Sequence, residues 1–149
     1  MKTANLQDLP GSPGCFICDN NGSNARSLHL QLRYDADEQA VYIPCDPDES
    51  WCGFSGVVHG GLVATVMDEA MAWAVKQRCG EWAFTAECVI RYKKPVQPGC
   101  GYYAKARVVA AERRKISVEA GFYDGEGAEL ARASATFLPS KGKANPRTA

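Results

Sequence analysis

Asp68 and Glu69 are the only carboxylates between Phe54 and Val75, a stretch whose one other ionisable side chain is His59. Taking an ionised carboxylate into apolar surroundings costs on the order of several kcal/mol unless it is well paired, so one kept there is either satisfied by a neighbour or used in chemistry. The run Gly60–Arg78 is apolar on nearly every face, which predicts a helix buried all round. His59-Gly60-Gly61 stands at its start, where two residues without side chains let a ligand approach free backbone N–H groups at the positive end of the helix dipole. One helix therefore carries an anion-stabilising end and an internal acid or base.

The elements that must hold this helix can be read on either side of it. Gly80 is a natural left-handed stop, and four strand-like runs follow: Ala83–Tyr92, Tyr102–Ala111, Lys115–Tyr123 and Glu129–Leu138. Pro95-Val96-Gln97-Pro98-Gly99 and Asp124-Gly125-Glu126-Gly127 separate them, the second as a hairpin turn. Upstream, Leu28, Leu30 and Leu32 alternate with polar residues, which predicts a half-buried strand with His29 on its solvent side. Ala40–Pro44 reads as another strand and Cys45–Ser55 as a long loop. Residues 1–24 read as an irregular arm and 140–149 as a frayed polar tail of a single domain spanning 1–149. With one long helix to cover so many strands, the economical solution is an α+β fold, an antiparallel sheet curled around a central helix.

Bulk properties narrow the function classes. A formal net charge of +0 argues against a nucleic-acid partner held by phosphate attraction. No uncharged run reaches the ~20 apolar residues of a membrane span, and the first ten residues hold no apolar leader segment, so a cytoplasmic protein without membrane partners is expected. Seven cysteines without such a leader are expected to be reduced. Cys15 and Cys18 form a lone C-x-x-C for which Cys45, Cys52 or His29 are the conceivable further ligands; none belongs to a second paired motif, and the expectation is packing or surface thiols with no metal.

Val57-Val58-His59-Gly60-Gly61-Leu62-Val63-Ala64-Thr65-Val66-Met67-Asp68-Glu69-Ala70 closely resembles the signature of hotdog-fold acyl-CoA thioesterases of the phenylacetate-pathway and 4-hydroxybenzoyl-CoA thioesterase type. Phe84–Val96 is similar to the strand that follows the central helix in that family, and Cys15–Cys18 with Leu28–Leu32 to the segment leading into its first strand. The resemblance covers roughly residues 15–138 and implies hydrolysis of an acyl-CoA to acid and coenzyme A with no metal or organic cofactor. It selects the carboxylate nine residues after the histidine, Asp68, as general base or nucleophile, with Glu69 in reserve. Gly60 N–H, with His59 as auxiliary donor, would face the carbonyl oxygen. Thr85 aligns with a Ser/Thr position that holds the water or the carboxylate. Six residues before the histidine, where relatives often carry Asn, this chain has Gly53. That departure leaves a non-hydrolytic acyl-CoA or acyl-thioester binding module as the alternative function.

Substrate contacts are expected from Gly61 and Phe54, with Trp51, Trp73, Trp82 and Phe84 as further candidates for an acyl or aryl pocket. Arg113, Arg114 and Lys115, ahead of Lys93 and Lys94, are expected to meet the coenzyme A phosphates. At ~1.5 Å and ~100° per residue, His59 and Asp68 lie about 13 to 14 Å apart on opposite faces of one helix. They cannot serve one carbonyl from the same chain. A two-fold dimer with antiparallel central helices, which the resemblance also implies, would give two composite sites, within a dimer or a dimer of dimers.

Overall fold

The computed structural model describes residues 5–140. Met1–Ala4 and all of the expected tail beyond Ser140 lie outside the described residues. The elements run β1 (Leu6–Asp8), β2 (Arg33–Asp35), β3 (Ala40–Cys45), α1 (Gly60–Cys79), β4 (Ala83–Tyr92), β5 (Tyr102–Ala111), β6 (Ile116–Asp124) and β7 (Glu129–Pro139). A short 3-10 turn at Glu49–Trp51 interrupts the loop before the helix. The strands form one sheet in the order β1-β2-β3-β5-β6-β7-β4, antiparallel at every pairing.

The sheet's inner face explains how α1 can lie across it. Along β5, β6 and β7 the inward positions are largely small, with Ala104, Ala106, Ala120, Ala133 and Ala135 all buried. Small residues there leave room for the larger buried side chains of the helix, Val66, Met67, Met71 and Val75. Phe122, Phe137 and Ile116 close the same core cluster. Gly80 ends α1 in the left-handed conformation at φ 74°, its N–H bonding Lys76 O, as expected from the sequence.

Three sequence expectations change here. Residues 28–32 form no strand: Leu28 and Leu30 bond the carbonyls of Phe16 and Ile17, and His29 takes φ 51° between them. A positive φ cannot continue an extended run, so alternation of the leucines reflects packing of a loop onto the core. The His29 ring meets the Asp19 carbonyl through Nδ1. The N-terminal arm, in turn, is not wholly irregular, because β1 pairs with β2. And α1 is not buried all round. Gly61, Ala64, Thr65 and Asp68 form a stripe along its first half that the rest of the chain leaves partly open.

That stripe runs beside β4, the edge strand, and β4 has a device that matters for the site. Its register with β7 shifts between Thr85 and Glu87, so Ala86 is an extra, bulged residue. The bulge reverses the alternation of faces. Cys88, Ile90 and Tyr92 point toward the helix on one side of it and Thr85 does so on the other.

Candidate active site

Local geometry makes the start of α1 unusual. His59 is the N-cap, and its Nδ1 accepts the N–H of Gly61 at 2.8 Å. A ring nitrogen that accepts carries no proton, so the neutral imidazole holds its proton on Nε2 and offers an N–H donor there. The N–H groups of Leu62 and Val63 both turn to the His59 carbonyl. Among the described residues nothing accepts from Gly60 N–H, which is left at the positive end of a 20-residue helix.

The glycines follow from this arrangement. A Cβ on Gly61 would stand 2.9 Å from His59 Nδ1, and one on Gly53 would stand 3.0 Å from Cδ2 of the same ring. Gly53 therefore makes room for the imidazole. Glycine at this position, where members of the resembled family often carry Asn, thus has a steric reason. Gly60 packs on the ring of Tyr92, whose hydroxyl donates to the Gly60 carbonyl at 2.7 Å. Tyr92 was not singled out from the sequence, and only the bulged register of β4 shows that it reaches the helix start. Burial, followed by the neighbouring Cys88, pushes its phenol up from the ordinary value.

A pocket of about 380 Å³ opens at this end of the helix. Phe54, Val57, Val63 and Val96 give it apolar walls, with His59 and Gly60 among its lining and Lys93 and Lys94 alongside. Lys93 is paired with Glu129, whereas no ion pair among the described residues engages Lys94. Of the aromatic candidates only Phe54, 82% exposed, lines the pocket. Trp51, Trp73 and Trp82 belong to the core, the last two edge to face at 4.8 Å, and Phe84 lies exposed on β4. Arg113, Arg114 and Lys115 occupy the exposed β5–β6 turn, at the opposite end of the sheet from Tyr92.

Asp68 and Thr85 are brought together elsewhere on the helix. Thr85 Oγ1 donates to Asp68 Oδ1 at 2.7 Å, and Asp68 remains half-exposed on the open stripe. Burial and then the Asp68 charge push the Cys88 thiol up, keeping it protonated beside the carboxylate. The buried carboxylate of the pair is Glu69, 6% exposed, which accepts from Trp73 Nε1 at 3.1 Å and from Cys18 Sγ at 3.0 Å. The sequence argument from isolation in an apolar helix thus describes Glu69, while spacing from His59 selects Asp68. Neither Asp68 nor Thr85 lines the pocket at His59.

Within one chain, then, an apolar pocket with hydrogen-bond donors at its base lies at one end of the helix and a carboxylate held by a hydroxyl lies further along it. A profile of the thioesterase superfamily matches residues 55–131, just over half of the chain, from shortly before His59 to the start of β7. The chain belongs to the thioesterase superfamily. Among curated relatives of this thioesterase-superfamily chain, a Saccharolobus solfataricus protein that bears an esterase name is 30% identical over 61% of this chain and 61% of its own. An acyl-coenzyme A thioesterase of Xenopus laevis is 29% identical over 56% of this chain and 37% of its own. The chain thus spans less than two thirds of the length of these relatives. A Streptococcus pneumoniae thioesterase-type protein solved with coenzyme A superimposes with a TM-score of 0.65 at 21% identity, covering 68% of this chain and 78% of that one. The fold is the hotdog fold, one long helix against an antiparallel sheet, as the sequence predicts. No helix among the described residues is long and apolar enough to cross a membrane.

The His59 cap gives a first prediction. Gly61→Ala puts a methyl group 2.9 Å from Nδ1, so the ring must swing out and the Gly61 N–H loses its acceptor. Expected are a loss of about 1 kcal/mol of stability from the cap and, for the thioester hydrolysis proposed below, a fall of about tenfold or more in kcat/KM. Circular dichroism and thermal melting alongside the assay check both parts.

Proposed function

We propose that this chain hydrolyses acyl-CoA thioesters to the free acid and coenzyme A, at sites assembled from two copies of the chain. The observation that carries the reading is the open Gly60 N–H beside the His59 ring at an apolar pocket. A thioester carbonyl placed there would gain negative charge on its oxygen as the carbon is attacked, where a helix N-terminus and the Nε2 proton stabilise it. The pocket walls suit an acyl chain or the pantetheine arm, and Lys94 suits an anionic group at the mouth. Arg113, Arg114 and Lys115 stand at the Thr85 end of the sheet, so they would meet the phosphates only in the composite arrangement.

Asp68 supplies the other half. With Oδ1 engaged by Thr85, Oδ2 is left for a water or for the carbonyl carbon itself. As general base, Asp68 takes a proton from water, the new C–O bond forms, the C–S bond breaks and coenzyme A leaves as the thiol. As nucleophile, it forms an anhydride that water then opens. Because His59 and Asp68 lie on opposite faces of one helix, a two-fold partner with its helix antiparallel would bring Gly60 of one copy to Asp68 of the other. The open stripe on α1 and the unpaired edge of β4 beside it supply an uncovered surface for such pairing. The Xenopus relative's name and the coenzyme A in the Streptococcus neighbour point to the same substrate class.

The test is continuous thiol release from a panel of acyl-CoAs of differing chain length and aromatic character. Expected is turnover linear in protein for at least one member. Saturable acyl-CoA binding with release no faster than the uncatalysed reaction would instead make the chain a binding module.

A further inference from the structure

Cys15 and Cys18 play no part in the hydrolytic reading, yet the fold brings them to a place of their own. The turn that carries them is folded back against α1, where their sulfurs meet Glu69 Oε1 at 3.5 Å and 3.0 Å. All three ligand-type atoms lie within 4.8 Å of one another, and no other group of three or more His, Cys, Asp or Glu side chains does so among the described residues. The further ligands conceivable from the sequence, Cys45, Cys52 and His29, are not in the cluster. The third member is a glutamate 51 positions from Cys18, which no sequence spacing could indicate.

We propose that Cys15, Cys18 and Glu69 bind a thiolate-preferring divalent cation, zinc by chemistry, as a clasp between the N-terminal arm and the central helix. Tetrahedral zinc with Zn–S of ~2.3 Å and Zn–O of ~2.0 Å spaces its ligand atoms roughly 3.5 to 3.8 Å apart; Cys15 Sγ already stands at that distance from Glu69 Oε1, Cys18 Sγ needs to draw back by about half an ångström, and the two sulfurs, within 4.8 Å of one another, need to close by about one ångström at most. The backbone is already arranged for a thiolate: Ile17 N–H points at Cys15 Sγ at 3.3 Å, the way main-chain donors support a Cys-x-x-Cys pair on a metal. Trp73 Nε1 donates to the same Glu69 oxygen at 3.1 Å, an outer hydrogen bond that would fix the carboxylate's orientation.

The charge count favours the exchange as well. Three donors, two thiols and an indole, converge on Oε1, which has two lone pairs. A dication that displaces both thiol protons turns two of those donors into ligands and releases two protons, leaving the net charge of the cluster unchanged. Thiolate with carboxylate selects zinc over magnesium or calcium, which prefer all-oxygen shells. Cys18 is fully buried and Cys15 only partly so; the fourth position therefore opens on the Cys15 side, where water completes the shell. The clasp would fix the rotation of α1 one residue from Asp68.

The experiment uses the full chain without a histidine tag, reduced and stripped of metal, then titrated with Co²⁺ and, in competition, Zn²⁺. Expected are about one Co²⁺ per chain, a sulfur-to-cobalt charge-transfer band with the strong visible bands of tetrahedral cobalt, and their loss on adding one equivalent of Zn²⁺. Zinc should also raise the melting temperature by roughly 5 °C or more. The Cys15→Ser, Cys18→Ser double variant should lose the band, Glu69→Gln should bind at least tenfold more weakly, and Cys100→Ser, at an exposed thiol, should match wild type. If the reduced wild-type chain gives no charge-transfer band, or if the band survives the double cysteine substitution, the assignment is wrong. Unchanged affinity in Glu69→Gln would overturn it equally. These readouts do not depend on hydrolysis, so they stand or fall apart from the thioesterase reading.

Discussion

Asp68→Asn is expected to lower acyl-CoA hydrolysis by roughly 100-fold or more, about 2.7 kcal/mol or more of transition-state stabilisation, with the fold intact. Asparagine keeps the shape and can still accept from Thr85 Oγ1, whose bond to Asp68 Oδ1 is 2.7 Å long; what it loses is basicity and nucleophilicity. Because Asp68 is half-exposed, the exchange creates no buried unpaired group, and the melting temperature should move little. The loss should fall on kcat rather than on KM, since in the proposed mechanism the carboxylate acts only as the carbonyl is attacked. Glu69→Gln separates the two neighbours. Glu69 sits among Trp73, Cys15 and Cys18, so its amide should cost stability and leave most of the chemistry. Near wild-type hydrolysis in Asp68→Asn, or a collapse confined to Glu69→Gln, would transfer the role.

The helix with its cap and stop was legible in the sequence because these are local signals: His59-Gly60-Gly61 at one end and Gly80 at the other correspond to an N-cap and a left-handed C-cap. The strands after the helix were equally plain, with Ala83–Tyr92 and Tyr102–Ala111 matching β4 and β5 at both ends. What failed was pattern without context. Leu28, Leu30 and Leu32 alternate as a strand does, but a positive φ at His29 makes them a loop folded onto Phe16 and Ile17. The burial argument picked out an acidic pair without distinguishing its members, because helical phase relative to the sheet decides that Glu69 goes inward and Asp68 faces the open stripe. Thr85 was placed near the carboxylate by resemblance alone, its bond to Asp68 resting on the bulge at Ala86, and Tyr92 meets Gly60 only through the same shifted register. The aromatic candidates show the limit most clearly: Trp51, Trp73 and Trp82 close the core, and Phe54 alone reaches the pocket.

Two inactive variants should together restore activity. His59→Ala removes the N-cap imidazole that holds Gly61 N–H, and Asp68→Asn removes the carboxylate; each chain keeps the half that the other has lost. In a two-fold dimer with antiparallel helices, a heterodimer of the two has one wholly wild-type site and one doubly defective site. Unfolding an equal mixture and refolding it should make about half of the dimers heterodimers, so recovery should approach about a quarter of wild-type hydrolysis, provided His59→Ala alone is nearly inactive. Mass-tagged chains would verify that exchange occurred. Recovery near that fraction is the result predicted by a site shared between chains. No recovery, with both variants inactive alone and heterodimers demonstrated, would show that His59 and Asp68 do not act on one thioester across the dimer.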